Sequence, residues 1–202
     1  MALYIGNTKV KLRYIPTVPY TITGVLNIVD GIASGFTDKT DYFILSTFSP
    51  NSNKWKFTTK VRFNSLDVNM SLIDRNSSTR NFQISMRTNG KWKVNISNNG
   101  SSKANEVDGT HTLSTNTWYY LTFEYTGTQY ILKYSTDATT WTTDITISNS
   151  NPVYSGATQC MGHTWYDNGG EKWDGEIDMN YTHLLVEGQY TDTFKLHCLE
   201  GI

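Results

Sequence analysis

Apolar and polar side chains alternate with a period of two residues along much of this chain. The clearest case is residues 55–63, WKFTTKVRF, where large apolar side chains fall on one face and Lys, Thr and Arg fall on the other. The same alternation recurs in residues 82–87, 91–96 and 119–125. Successive side chains of a strand point to opposite faces, so each segment is predicted to be a strand with one buried and one wet side.

Turn-forming sequences separate these segments, and no long window keeps a helical period. The pair Asn89-Gly90 lies between two alternating runs, which is a strong hairpin signal. Many short strands with almost no helix predict an all-β sandwich or barrel. We expect two antiparallel sheets packed face to face, with a core of Trp55, Phe57, Phe63, Phe82, Ile84, Trp92, Val94, Leu121 and Phe123.

Composition limits the classes of partner. Aromatic residues make up 13% of the 202-residue chain, enough for a large packed core. The formal net charge is −1 and the basic residues form no stripe, so we expect no nucleic-acid partner. Apolar runs are too short to cross a bilayer, and residues 1–10 lack the pattern of a secretory signal. We therefore expect no membrane insertion and no signal peptide.

Two prolines suggest a boundary near the N-terminus. Pro16 and Pro19 cannot continue a central strand, because proline donates no hydrogen bond to a neighbouring strand. Residues 1–20 are therefore predicted to form a separate strand or hairpin segment that serves in assembly. Residues 21–202 are predicted to form the sandwich.

Several segments carry a family resemblance. The stretch 30–63, with its Gly-Phe turn, short strand, Phe-x-Pro turn and Trp-led strand, resembles the opening of laminin-G-like domains of bacteriophage and prophage structural proteins. Residues 113–118, 130–141 and 173–178 are similar to later elements of the same domains, in the same order. The resemblance implies a two-sheet antiparallel jelly-roll sandwich of the concanavalin A-like lectin and glucanase type.

The resemblance also implies a role. Such domains are virion proteins, in tail fibres, tail tips or capsid surfaces. We therefore expect a non-enzymatic module that assembles with itself, as a homo-oligomer, or with other virion proteins, and that contacts a cell-surface glycan. A stand-alone carbohydrate-binding lectin domain is the alternative, and a glycan hydrolase is a more remote one. The fold alone does not choose between them.

The loop from His163 to Asp174 has the densest mixture of polar and aromatic residues. Flat side chains that could stack on a sugar lie beside hydrogen-bonding groups, which predicts a ligand site formed by Trp165, Tyr166, Asp167, Asn168 and Trp173. Hard oxygen ligands suit Ca²⁺, and here they would be Asp167, Asn168, Glu171 and Asp174. The spacing fits no defined calcium loop, and an ordinary Gly-rich turn explains the same residues.

The carboxylates Glu176 and Asp178 raise the question of hydrolysis. Sandwich glucanases carry three carboxylates at alternate positions of one strand, and two of them act as nucleophile and acid/base. This chain has Asn180 at the third position, so the acid/base is missing. We therefore expect no catalytic residues, and Glu176 and Asp178 are predicted to be polar residues of the closing strand.

Overall fold

A computed structural model describes residues 3–5, 8–10, 20–37, 41–48, 54–75, 82–99, 102–103, 105–153, 157–163 and 171–186. These residues form sixteen strands and no helix. In chain order the strands are β1 (Leu3–Ile5), β2 (Thr8–Val10), β3 (Tyr20–Thr23), β4 (Asn27–Val29), β5 (Ile32–Ser34), β6 (Tyr42–Phe48), β7 (Trp55–Phe63), β8 (Met70–Arg75), β9 (Phe82–Met86), β10 (Trp92–Ile96), β11 (Asn105–Asp108), β12 (Trp118–Tyr125), β13 (Gln129–Ser135), β14 (Thr142–Ser148), β15 (Ala157–Met161) and β16 (Gly175–Val186).

Two seven-stranded antiparallel sheets make up the sandwich. Sheet I has the order β11-β10-β9-β8-β15-β6-β3, and sheet II has the order β14-β13-β12-β7-β16-β5-β4. Neighbours in each sheet are often distant in sequence, as when β7 lies between β12 and β16. The predicted all-β, two-sheet jelly roll is confirmed.

The core lies between the sheets and follows the alternation in the sequence. All nine residues predicted for it are at most 3% exposed. Trp55 of sheet II stacks on Phe82 of sheet I, with ring centroids 5.0 Å apart. Phe63 contacts Trp92 across the same interface, at 5.4 Å. Aromatic side chains of the two sheets therefore pack against each other in the core.

The hairpin predicted at Asn89-Gly90 joins β9 to β10. Its turn is closed by a hydrogen bond from the Gly90 amide to the Arg87 carbonyl, 2.8 Å long. Gly90 has a φ of +70°, a conformation that a residue with a side chain adopts only with strain. The glycine is thus placed where the turn requires it.

The first two strands pair only with each other within the described residues. Leu3 pairs with Val10 and Ile5 with Thr8, which gives a two-stranded sheet outside the sandwich. The first sandwich strand, β3, begins at Tyr20. In the part of the chain that is described, no helix is long and apolar enough to span a membrane.

Replacing Phe57 with Ala should lower the free energy of unfolding by about 3–5 kcal/mol, because it removes a fully buried ring and leaves a cavity. Urea denaturation followed by tryptophan fluorescence measures the change. Val68→Ala is the matched control, since that side chain is 50% exposed and its loss should cost under about 0.5 kcal/mol. Equal midpoints for the two variants would contradict the assigned core.

Candidate functional site

The loop predicted as a ligand site lies mostly outside the described residues. Trp165, Tyr166, Asp167 and Asn168 belong to the stretch 164–170, for which no structure is described. Their roles in ligand or Ca²⁺ binding remain predictions. Three members of the predicted set can be placed, and they lie in 171–174, directly before β16.

Trp173 is a core residue, which corrects its prediction as a stacking surface. Its side chain is 1% exposed, and its ring packs on Phe63 with centroids 4.9 Å apart. The Trp173 amide donates to the Gly162 carbonyl at 2.9 Å, which fixes the backbone beside β15. A ring enclosed on this scale has no face left for a sugar. The sequence analysis grouped Trp173 with the polar and aromatic residues of 163–174, because its packing on Phe63 depends on the tertiary structure.

Two of the three carboxylates predicted as Ca²⁺ ligands, Glu171 and Asp174, have protein partners. Glu171 accepts a hydrogen bond from the Arg87 guanidinium at 2.5 Å, and Asp174 accepts one from the Asn64 amide at 3.1 Å. No group of three His, Cys, Asp or Glu side chains that could hold a metal occurs among the described residues. Both contacts tie the chain before β16 to the β7–β8 and β9–β10 turns.

A different cluster stands out on the outer face of sheet II, the side turned away from sheet I. We call it the outer-face cluster. It contains three ring-bearing side chains and four charged ones, namely Trp118, Tyr120, Tyr181, Lys60, Arg62, Glu176 and Asp178. All seven are partly exposed. They come from β12, β7 and β16, three adjacent strands in the middle of the sheet.

Strand register aligns these residues in two rows. Trp118 lies opposite Arg62, and Arg62 lies opposite Glu176 on the next strand. In the neighbouring row, Tyr120 lies opposite Lys60, and Lys60 lies opposite Asp178. Directly opposed residues have Cβ atoms about 5 Å apart, so each row brings a ring, a cation and a carboxylate into contact.

The charged side chains of the two rows are paired. Arg62 donates to Glu176 at 2.6 Å, and the Lys60 ammonium donates to Asp178 at 3.3 Å. Both cations also lie close to the Trp118 ring, with the Lys60 nitrogen 4.6 Å and the Arg62 guanidinium carbon 5.4 Å from its centroid. Cation–π attraction therefore helps to hold Trp118 over β7.

Tyr120 and Tyr181 form an aromatic corner. Their ring centroids are 4.9 Å apart and the planes meet at 73°, an edge-to-face arrangement. The Lys60 nitrogen is 5.3 Å from the Tyr120 ring centroid, so the corner adjoins the ion-paired rows. Rings, donors and acceptors are thus held together on a rigid sheet.

A bulge with three extra residues in β16 brings Tyr181 to this position. Asp178 pairs with Lys60 and His183 pairs with Thr58, so one residue of β7 faces four residues of β16, Met179–Thr182. Extra residues in one strand bend it and redirect side chains. A regular strand would have carried residue 180 to the outer face beside Asp178.

The bulge is held by side chains at both ends. The Asn180 amide donates to the Asp30 carbonyl at 2.8 Å. On the buried side, the Thr182 hydroxyl donates to the Asp178 carbonyl at 2.9 Å and lies 3.0 Å from the Thr59 hydroxyl. Because Thr182 has a single proton to donate, Thr59 is the donor of that second hydrogen bond.

A second charged group lies on the same face, nearer the other end of β7. Glu124 accepts a hydrogen bond from Lys133 at 2.9 Å and lies 3.9 Å from the Lys56 ammonium. Burial lowers the pKa of Lys56; the Glu124 carboxylate raises it in part, and Lys133 lowers it further. One row of the same face, in which Thr122 lies opposite Thr58, separates this group from the Tyr120 row, and the group contains no ring.

The sequence of β12 indicates that aromatic rings lie on this face, although the prediction of a ligand site was placed in the loop 163–174 instead. Trp118 and Tyr120 alternate with the core residues Tyr119 and Leu121, so a strand with one wet side carries aromatic rings on that side. Glu176 and Asp178 were correctly placed on the polar side of the closing strand. Asn180, expected to follow them on the same face, lies in the bulge instead.

Comparisons with known proteins support the fold. No protein-family model matches this chain, and no curated protein matches it. Among solved structures, a botulinum neurotoxin DC binding domain in complex with SialylT is 12% identical over 90% of this chain and 46% of that one, with a TM-score of 0.58. Mouse laminin alpha1 domains LG4-5 are 11% identical over 92% and 47%, at 0.57.

A third similar structure is domain 4 of AbnA, a GH43 extracellular arabinanase of Geobacillus stearothermophilus, in complex with arabinotriose. It is 19% identical over 79% of each chain, with a TM-score of 0.54. This chain spans about half the length of the toxin and laminin structures. At these identities the likeness shows the fold alone, a two-sheet jelly-roll sandwich.

Replacing Gly31 with Ala should disrupt the bulge. Gly31 has a φ of +80°, and a Cβ there would lie 2.0 Å from the Asn180 amide nitrogen. Gly35 is the matched control, with a φ of +81° and no atom nearer than 3.8 Å to the added Cβ. In both variants the left-handed backbone strain should lower the free energy of unfolding by about 1–2 kcal/mol. Overpacking against Asn180 should lower it by about 1–3 kcal/mol more in Gly31→Ala.

Thermal unfolding of the two glycine variants measures this difference. We also expect near-ultraviolet circular dichroism to change in Gly31→Ala alone, because Tyr181 and Tyr120 lose their fixed contact. Equal melting temperatures would show that the Asn180 side chain moves aside without loss of stability and that this contact does not fix the bulge.

Proposed function

We propose that this chain is a non-enzymatic adhesion module that binds glycan through the outer-face cluster of sheet II. The observation that carries the proposal is the aromatic corner of Tyr120 and Tyr181 beside two ion-paired rows. Small-molecule sites combine apolar and aromatic surface with a few oriented polar groups. A sugar offers the matching surfaces, since its C–H bonds contact rings and its hydroxyls both donate and accept hydrogen bonds.

The module belongs, on this proposal, to a bacteriophage virion. The support is the resemblance of residues 30–63 and later segments to phage laminin-G-like domains, together with the two-stranded sheet of β1 and β2 outside the sandwich. A shallow single site binds weakly, and several copies on one particle multiply the effective affinity. Assembly through residues 1–20, with itself or with other virion proteins, supplies those copies.

A binding role is favoured over hydrolysis by the surroundings of the carboxylates. Glu176 and Asp178 are each bound by a cation of β7, namely Arg62 and Lys60. A glycosidase also needs a carboxylic acid that protonates the leaving oxygen. The residue at the third position, Asn180, donates to a backbone carbonyl and cannot supply that acid.

A glycan array with the full-length protein tests the binding site. Tyr120→Ala should weaken binding at least tenfold, because aromatic anchors at a binding surface typically contribute about 2 kcal/mol or more. Tyr120→Phe keeps the ring and should retain binding. Val25→Ala, at an 86% exposed position, should behave as the unaltered protein.

Two further measurements distinguish a binding site on this face from one in the loop 163–174. Loss of binding in Trp165→Ala or in chelator, with Tyr120→Ala unaffected, would move the site to the loop and its predicted Ca²⁺ ligands. Trp173→Ala is unsuitable as a probe, since removing that buried ring should lower the free energy of unfolding by about 3–5 kcal/mol and disturb the packing beneath the loop. Absence of binding to every glycan would contradict the adhesion role.

Deleting residues 1–18 tests assembly. The sandwich begins at Tyr20, so the shortened chain should keep its β-sheet circular-dichroism spectrum and melt cooperatively. Self-association, measured by analytical ultracentrifugation, should decrease. A deletion variant that fails to fold would show that this segment belongs to the sandwich, and one that associates as before would remove its role in assembly.

A further inference from the structure

The charges of the outer-face cluster are balanced pair by pair, and we propose that its ligand is a neutral glycan, with acidic sugars selected against. This inference rests on the proposed glycan-binding function and narrows its ligand class. The cluster holds two cations and two carboxylates, and each cation has its own carboxylate: Arg62 with Glu176, and Lys60 with Asp178. Neither cation is left to neutralise a charge on the ligand.

The pairs are partly buried, which makes them costly to break. The Lys60 and Asp178 side chains are 21% and 14% exposed, and those of Arg62 and Glu176 are 32% and 24% exposed. A charged group shielded from water to this degree loses more when its partner is removed than a fully hydrated one. An acidic sugar that recruited Lys60 would leave Asp178 with its charge uncompensated.

The surrounding rings hold the cations in place as well. The Lys60 nitrogen lies near the centroids of both Trp118 and Tyr120, at 4.6 and 5.3 Å. Moving Lys60 toward a ligand carboxylate would weaken these contacts in addition to the ion pair. The geometry therefore favours a ligand that binds without breaking either ion pair.

A neutral sugar meets that requirement. Each ion pair presents a donor and an acceptor side by side, because a carboxylate has several lone pairs and an ammonium or guanidinium has several N–H groups. Neighbouring hydroxyls on a sugar ring can donate to Asp178 or Glu176 and accept from Lys60 or Arg62. Hydrogen bonds to charged groups of this kind are stronger than neutral ones.

The second charged group on this face, Lys56, Lys133 and Glu124, differs from the outer-face cluster because its charges are not balanced. Lys56 and Lys133 share the single carboxylate of Glu124, so that group carries an excess positive charge. It lacks an aromatic ring and lies two rows from Tyr120, at the Glu124–Lys56 pairing. It supplies a matched control, because removing Glu124 changes the charge of the same face without touching the proposed binding corner.

The test uses an array of neutral glucose, galactose and mannose oligosaccharides, each beside the same oligosaccharide ending in the corresponding uronic acid. The unaltered protein should bind neutral members at least tenfold more tightly than their acidic counterparts. Asp178→Asn and Glu176→Gln each release one cation and keep the side-chain shape, so they should reduce that ratio or reverse it. Glu124→Gln should leave the ratio unchanged.

The outcomes separate the two proposals. Acidic counterparts bound as well as or better than neutral ones, or a ratio that Asp178→Asn and Glu176→Gln leave unchanged, would overturn the neutral-ligand inference while leaving glycan binding intact. Binding to none of the oligosaccharides would overturn the proposed function itself. Thermal melting of each variant confirms that the compared proteins are folded.

Discussion

The domain depends on the register of β7, the strand at the centre of sheet II. It is paired on both edges, with β12 and β16, and its inward side chains include Trp55, Phe57 and Phe63, all nearly or fully buried. A slip of one residue would turn Phe57 to solvent and Lys56 into the core. The same register sets Lys60 and Arg62 on the outer face, so the packing of the core also fixes the geometry of the candidate site.

How far the sequence predicts this structure differs between core and site. Alternation is a local property, and it was sufficient to assign the core strands, the β9–β10 hairpin and the wet side of β16. Pairing between distant strands is not local: Arg62 and Glu176 are 114 residues apart in sequence and touch only because β7 and β16 are neighbours. Trp173 was assigned to a loop surface because its burial depends on Phe63, a residue of a strand far from it in sequence.

The bulge of β16 is the feature furthest from sequence reasoning. Its four residues, Met179–Thr182, continue the regular alternation of polar and apolar residues in the sequence. Only the pairing of Asp178 with Lys60 and of His183 with Thr58 shows that these four residues face a single residue of β7. What stabilises the bulge comes from remote parts of the chain, namely the carbonyl of Asp30 and the hydroxyl of Thr59. Local pattern rules contain no information on such contacts, so the position of Tyr181 follows from the tertiary structure alone.

The outer-face cluster lies apart from the core that joins the two sheets. Trp118, Tyr120 and Tyr181 lie on the side of sheet II away from the core, which is formed by other residues. The wet side of an antiparallel sheet is ordinarily polar, as Lys56 and Lys60 of β7 illustrate. Three rings gathered around two balanced ion pairs on that side are the observation on which the proposed glycan site rests.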